Sequence, residues 1–295
     1  MRWGRRVAAL TAGAAAGWAG VCASLYWRAF GPLRWGAEAE RGWTPQDLGV
    51  THEPLDVRTD DGLTLQAWYL PGTRDAAIIV SNGYRGRAGD VLGIGTALQR
   101  AGFHVGVFGW RGTPGSDRAH HTLGVNECRD LRAVVEALLA RVGPMPLGLL
   151  GYSMGGTVSI AVAADEPRVG AVCTDSAFSD PHDVLGDGVR AVFRIPAQPI
   201  VAPVDLLVRR RVGTRLDDLR PVDAVARIAP RPLLVIHGAA DTTVRPGHAQ
   251  RLVDAAGEPK EFWLLPGVGH VGAYFADRTA YVDRVAGFFG RALEA

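Results

Sequence analysis

The chain reads as an α/β protein: a mostly parallel central sheet with helices on both faces and a cap insertion, preceded by an N-terminal apolar helix. Three observations predict this. Continuous apolar runs such as Ala77-Ile78-Ile79-Val80 and Phe103-His104-Val105-Gly106-Val107-Phe108 have the pattern of strands covered on both faces, with helical segments between them. The segment Leu149-Leu150-Gly151-Tyr152-Ser153-Met154-Gly155-Gly156 reads as a buried strand that turns sharply into a helix with a serine at the corner, a GxSxG elbow. Beyond the first fifty of the 295 residues, about 245 remain, enough for one large core and too few for two ordinary domains.

Residues 1–50 differ in composition from the rest. Arg2, Arg5 and Arg6 precede an uncharged run from Val7 to Trp27, long enough to cross a bilayer as a helix. The reading is a retained signal anchor over 7–27. The alternatives are a signal cleaved near Val21-Cys22-Ala23 and a buried or amphipathic helix. Arg5-Arg6 raises a twin-arginine route, but Val7-Ala8-Ala9 lacks the residues expected downstream. Arg28, Arg34 and Arg41 blur the charge asymmetry, which modestly favours a single-pass protein with its catalytic part outside the cytoplasm, or a secreted one after cleavage. Gly36 to Val50 reads as a polar tether, and residues 51–295 as the catalytic domain.

Within that domain, 55–59 and 63–69 alternate polar and apolar residues about Asp60-Asp61-Gly62, a hairpin signal for an antiparallel edge. The strand from Ala77 ends in the loop Ser81-Asn82-Gly83-Tyr84-Arg85-Gly86, and a helix is expected from Gly124 to Arg141. After the elbow, Thr157 to Ala164 has the small, apolar character of a helix packed on a sheet, and Val169 to Thr174 is a further strand. From about 178 to 219 the pattern breaks: Pro181, Pro196, Pro199 and Pro203 stand among apolar residues and arginines. This is read as a cap whose residues Val192, Phe193, Ile195, Ile200, Val201, Leu206 and Leu207 face the active site and set chain-length preference. The strands Pro232 to Gly238 and Glu261 to Leu265 close the sheet.

A serine hydroxyl becomes nucleophilic at neutral pH only beside a base, itself oriented by an acid. The chain supplies Ser153, then Asp241 in the loop after 232–238, then His270 in the glycine-flanked loop after 261–265. Loops at the carboxyl ends of parallel strands share one face, so the three can converge. The oxyanion of acyl transfer needs two donors, expected from the amides of Met154 and Tyr84. With these pieces the chain resembles the α/β-hydrolase superfamily, closest to the membrane-anchored serine hydrolases of the BEM46-like group and similar also to the catalytic domains of prolyl oligopeptidase relatives. The resemblance covers roughly Pro54 to the C-terminus. It rests on Asn82-Gly83-Tyr84, Gly151-Tyr152-Ser153-Met154-Gly155, His237-Gly238-Ala239-Ala240-Asp241 and Gly269-His270. It implies the α/β-hydrolase fold and hydrolysis of an ester, thioester or amide, without metal or organic cofactor. Two departures stand out. Members carry His-Gly where this chain has Asn82-Gly83, and Asp-x-Arg-Gly-x-Gly where it has Gly109-Trp110-Arg111-Gly112-Thr113-Pro114-Gly115, keeping the arginine and losing the acid.

Each residue also has a plainer reading. Ser153 would serve as a helix N-cap in a non-catalytic membrane-tethered scaffold, and a peptidase or amidase of prolyl-oligopeptidase type is the alternative enzyme. Asp175, after the strand 169–174, rivals Asp241 as the acid. His237 reads as a packed structural residue, and His120-His121 as a solvated loop, since no carboxylate or cysteine lies at ligand spacing around the pair. Arg209-Arg210-Arg211 is a solvated helix face or a contact to anionic headgroups. A net charge of +2 with no long basic run gives no support for nucleic acid as a partner; the resemblance implies a small-molecule acyl ester or similar substrate. Of the three cysteines, Cys128 and Cys173 are expected as buried free thiols, because a strand interior and a helix rarely offer disulfide geometry.

Overall fold

Strand and helix alternate as the apolar pattern requires. The computed structural model describes residues 2–32 and 42–294, with side chains from residue 11 onward. The chain runs through α1 (Arg2–Phe30), β1 (Glu53–Pro54), β2 (Val57–Arg58), β3 (Thr64–Leu65), β4 (Ala67–Leu70), β5 (Ala77–Ser81) and α2 (Leu92–Arg100). It continues with β6 (His104–Phe108), α3 (Glu127–Val142), β7 (Leu147–Tyr152), α4 (Met154–Asp165), β8 (Val169–Asp175), α5 (Pro181–Phe193), α6 (Gln198–Val212) and α7 (Pro221–Ala224). It ends with β9 (Leu233–Gly238), α8 (Gly247–Ala255), β10 (Lys260–Leu265), α9 (Ala273–Ala276) and α10 (Arg278–Leu293).

The main sheet has eight strands in the order β1-β4-β6-β5-β7-β8-β9-β10. β4 pairs antiparallel with β1 and β6, and every other neighbouring pair is parallel. The expected hairpin divides between two sheets. β2 and β3 pair only with each other about Gly62 at φ +86°, while the residues from Ala67 onward join the main sheet. All residues of β5 and β7 are buried, because helices cover both faces of the sheet; their sequences are therefore unbroken apolar runs rather than alternating ones. Ile79, Leu149, Val158 and Leu252 belong to the core on the face of α3, α4 and α8, and Ile78, Leu150 and Phe289 to the core on the face of α2 and α10. Truncating one such buried leucine to alanine costs roughly 2–5 kcal/mol. Cys128 and Cys173 are buried free thiols as expected, and so is Cys22.

The N-terminal helix forms but does not bear out the expected anchor. Among the described residues no helix is long and apolar enough to cross a membrane, and alanine and glycine dominate the exposed stretch Thr11–Val21. The more apolar start of the expected span, Val7–Leu10, lies outside the described side chains, as does the first part of the expected tether, Gly36–Arg41. What α1 does show is a packed end. Tyr26 and Phe30, one turn apart, meet Ile200, Val204 and Val208, also spaced by single turns, along α6, the i, i+4 stripe by which helices bury a face. Trp18 Nε1 donates to Pro199 O at 3.1 Å, and the Arg211 guanidinium lies 6.0 Å from the Trp27 ring centre.

The cap is inserted between β8 and β9 as α5 and α6, but its apolar residues do not face the site. Ile200 and Val208 are buried against α1, and Ile195 and Leu207 pack on that cluster. Val192 (73 % exposed) and Phe193 (41 %) point to solvent.

Candidate active site

β7 delivers the serine through main-chain constraint. A Cβ on Gly151 would lie 2.3 Å from Gly155 O, and one on Gly155 would lie 2.3 Å from Asn82 O, so only hydrogen at both positions lets the turn close onto the neighbouring loop. Ser153 sits at φ 51°, ψ −117°, a conformation that costs a non-glycine residue roughly 1–3 kcal/mol and persists only where the surroundings over-determine it. They do so here. Ser153 N donates to Asp175 O at 2.8 Å, and Ser153 O accepts from Thr157 N at 3.1 Å.

The structure brings together the three residues the sequence singled out. His270 Nε2 lies 3.0 Å from Ser153 Oγ, and its Nδ1 lies 2.7 Å from Asp241 Oδ2. Asp241 is buried and also accepts from the amides of Thr243 at 2.8 Å and Val244 at 2.9 Å. Burial pushes its carboxyl up, but the His270 bond and these amides outweigh it and hold the group below its ordinary value. An ionised Asp241 only accepts, so Nδ1 of His270 carries the hydrogen and Nε2 faces the serine with its lone pair. His237 is fully buried, with its Nε2 3.4 Å from Asp241 Oδ2. Burial lowers its pKa, and its Nε2 donates to Val244 O at 2.8 Å.

Asp175 does not reach His270 by any hydrogen bond among the described residues. Its Oδ1 accepts from Ser176 Oγ at 3.0 Å, and Ser176 Oγ accepts in turn from Val271 N at 3.0 Å. Ser176 (φ 59°) and Val271 (φ 51°) both occupy the left-handed region, so this bond joins two strained loops, one after β8 and one beside His270. Burial raises the Asp175 carboxyl to about 6, against the pull of the Ser176 hydroxyl.

A Cβ on Gly83 would lie 3.6 Å from Ser153 Cβ, which sets the loop after β5, with Tyr84, against Ser153. Asn82 braces it: its Nδ2 donates to Arg87 O at 2.6 Å and Phe108 O at 3.1 Å. The Tyr84 hydroxyl donates to Ala29 O, and Arg85 Nη2 donates to Gly31 O at 3.3 Å. The end of α1 therefore holds the side chains of the loop after β5, a contact the sequence gave no sign of. His121 corrects the expectation of a solvated histidine pair. It is fully buried with its ring 5.6 Å from that of Tyr84, and burial lowers its pKa to about 4. No metal-binding cluster occurs among the described residues.

Arg111 finds its acids elsewhere in the chain. It is buried and bonded to Asp130 at 2.7 Å and Asp61 at 2.8 Å. Ser153 and His270 open into a cavity of about 780 Å³ bordered by Trp43, Leu48, Asn82–Tyr84 of the loop after β5, Gly89–Ile94 leading into α2, and Tyr274 and Phe275. No residue of 178–219 borders it, which corrects the expected role of the cap.

Comparison with known proteins agrees with this architecture. The family described as Serine aminopeptidase, S33 matches residues 72–203, a stretch that holds the loop after β5 and the elbow and ends before Asp241 and His270. The uncharacterized protein YfhR of Escherichia coli O157:H7 is 30 % identical over 242 residues, covering 79 % of this chain and 78 % of its own. The uncharacterized protein Rv2307c of Mycobacterium tuberculosis is 29 % identical over 237 residues, covering 79 % and 77 %. Among solved structures, the Pyrococcus furiosus esterase Pf2001 superposes with a TM-score of 0.72 at 22 % identity, covering 89 % of this chain and 97 % of that one, a likeness of fold. With the parallel sheet, the strained serine elbow and these relatives together, the chain belongs to the α/β-hydrolase superfamily.

Proposed function

We propose that the protein is a serine hydrolase that cleaves a carboxylic ester through an acyl-enzyme. The observation that carries this reading is the unbroken line from Asp241 through His270 to Ser153, at 2.7 and 3.0 Å. His270 removes the hydroxyl proton as Ser153 Oγ attacks the carbonyl carbon, and the oxygen that becomes negative is received by the amides of Tyr84 and Met154. Collapse of the tetrahedral species expels the alcohol, which takes its proton from His270. Water, deprotonated by the same imidazole, then releases the acid and restores the hydroxyl. Asp241 holds the tautomer and offsets the imidazolium charge without itself becoming protonated.

The description of the matching family as a serine aminopeptidase favours a second reading, in which the same residues cleave an amide and His270 protonates a departing amine. A panel of p-nitrophenyl esters from acetate to palmitate, beside aminoacyl p-nitroanilides, separates the two. Ester turnover that vanishes in Ser153→Ala is expected. Anilide turnover with inert esters would transfer the reading to amides, and absence of both, with no reaction of Ser153 toward a fluorophosphonate, would leave a non-catalytic scaffold.

A further inference from the structure

The cavity at Ser153 gathers large apolar side chains that the fold otherwise leaves in water. Trp43 (64 % exposed), Leu48 and Phe275 (71 % exposed) come from two distant parts of the chain, yet all border the cavity that holds Ser153 and His270. Scattered exposed apolar residues are ordinary, whereas a set converging on one cavity marks a binding surface, and about 780 Å³ falls in the range of small-molecule sites. Val91, Ile94 and Tyr274 extend the same lining. Tyr274 is seated by its neighbours: a Cβ on Gly93 would come 3.1 Å from its hydroxyl, and the Arg278 guanidinium lies 5.4 Å from its ring centre. Arg87, on the same wall, is paired with Asp90 at 3.0 Å, and Arg278 also borders the cavity with its guanidinium against the Tyr274 ring.

We propose that Trp43, Leu48 and Phe275 form a subsite for the unbranched aliphatic chain of the substrate's acyl group. The proposal rests on the serine-hydrolase reading and moves chain-length selection from the cap to the segment before β1 and to α9. A substrate chain laid there covers these side chains as they cover it, and each methylene transferred from water contributes roughly a threefold to fourfold gain in reactivity.

Two alkyl fluorophosphonates, one ethyl and one decyl, test this on the full chain. Ser153 Oγ bonds to phosphorus as the P–F bond breaks; fluoride leaves and His270 takes the hydroxyl proton. The ratio of second-order labelling rates, decyl over ethyl, is the readout. It is expected to be at least about tenfold in the wild type and to fall by at least about threefold in Phe275→Ala and in Trp43→Ala, and further in the double variant, since each removes apolar surface from the bound chain. Phe275→Leu should restore most of it, and Phe193→Ala in the cap should leave it unchanged. Because Trp43 and Phe275 are exposed, their removal leaves the core intact, and circular dichroism checks the fold. A double variant that is labelled with the wild-type ratio overturns the subsite alone, as does a changed ratio in Phe193→Ala. No labelling of the wild type by either probe overturns the serine-hydrolase reading and the subsite with it.

Discussion

The elbow edge of the sheet and the layer formed by α1 and the cap lie close together but are held by different physics. At the elbow the constraints are on the main chain. Ser153, Ser176 and Val271 all take left-handed conformations, two glycines sit where a methyl group would collide with backbone, and the bonds between loops are fixed in direction. In the α1–cap layer the contacts are apolar side chains along two helix stripes, which constrain spacing but not residue identity. Directional constraints write a recognisable signature into the sequence. Apolar stripes state that a face is buried and leave its partner unnamed.

The sharpest test of the contrast removes members of the hydrogen-bonded line. Ser153→Ala or His270→Ala is expected to lower kcat/KM by roughly four orders of magnitude or more, with the double variant little worse than either, because such groups act as a unit. Asp241→Asn should be similarly severe and Asp175→Asn mild. Near-wild-type kcat/KM in purified Ser153→Ala, or the reverse order of the two aspartates, would break the assignment.

A second test probes a place where the two regions touch. Tyr84→Phe deletes the bond from the side-chain hydroxyl to Ala29 O at the end of α1 and leaves the main-chain amide in place. A net hydrogen bond of roughly 0.5–1.5 kcal/mol predicts a loss of about twofold to tenfold in kcat with KM nearly unchanged, if the oxyanion loop depends on α1 for its position. Unchanged kcat would make the N-terminal helix independent of the chemistry.

Asp175 offers a third, through pH. Its folded pKa is about 6, above the ordinary carboxylate value, so the folded protein holds a proton that the unfolded chain releases. The resulting stability is present in full below about pH 4 and is lost as pH rises through about 6. Denaturant titrations of the wild type and Asp175→Asn should therefore shift in favour of the wild type by roughly 1–3 kcal/mol on going from pH 7 to pH 4. A difference independent of pH would mean that this buried carboxyl has no raised pKa. The smallest effect belongs to the cap surface. Val192→Ser, at a residue 73 % exposed, should change stability by no more than about 0.5 kcal/mol, and a larger loss would reveal a packed face there.

How far the site could be read in advance follows the same division. Ser153, Asp241 and His270 were legible because each follows an apolar strand at a turn with its own local signal. Asn82 was visible only as a departure from related chains, since its two carbonyl partners, Arg87 and Phe108, become neighbours only after β5 and β6 pair. Arg111 seemed to lack an acid because Asp61 and Asp130 come from distant segments. Two helices, α5 and α6, stand between β8 and β9 where the cap was expected, but they do not border the cavity, since the i, i+4 spacing of Ile200, Val204 and Val208 does not say whether substrate or another helix covers them. The matching stripe of Tyr26 and Phe30 straddles the end of the Val7–Trp27 run, which was read for its lack of charge.

By itself, then, the sequence determined the parallel sheet, the strained serine corner and the order of the three residues that meet there, because buried strands and tight turns admit few residue types. The tertiary structure alone decided that α1 packs on α6, that Asp175 braces the His270 loop through Ser176, and that Trp43 and Phe275, more than 200 positions apart, border one cavity. These are contacts between surfaces that many sequences would satisfy, and only the closed fold selects which surfaces meet.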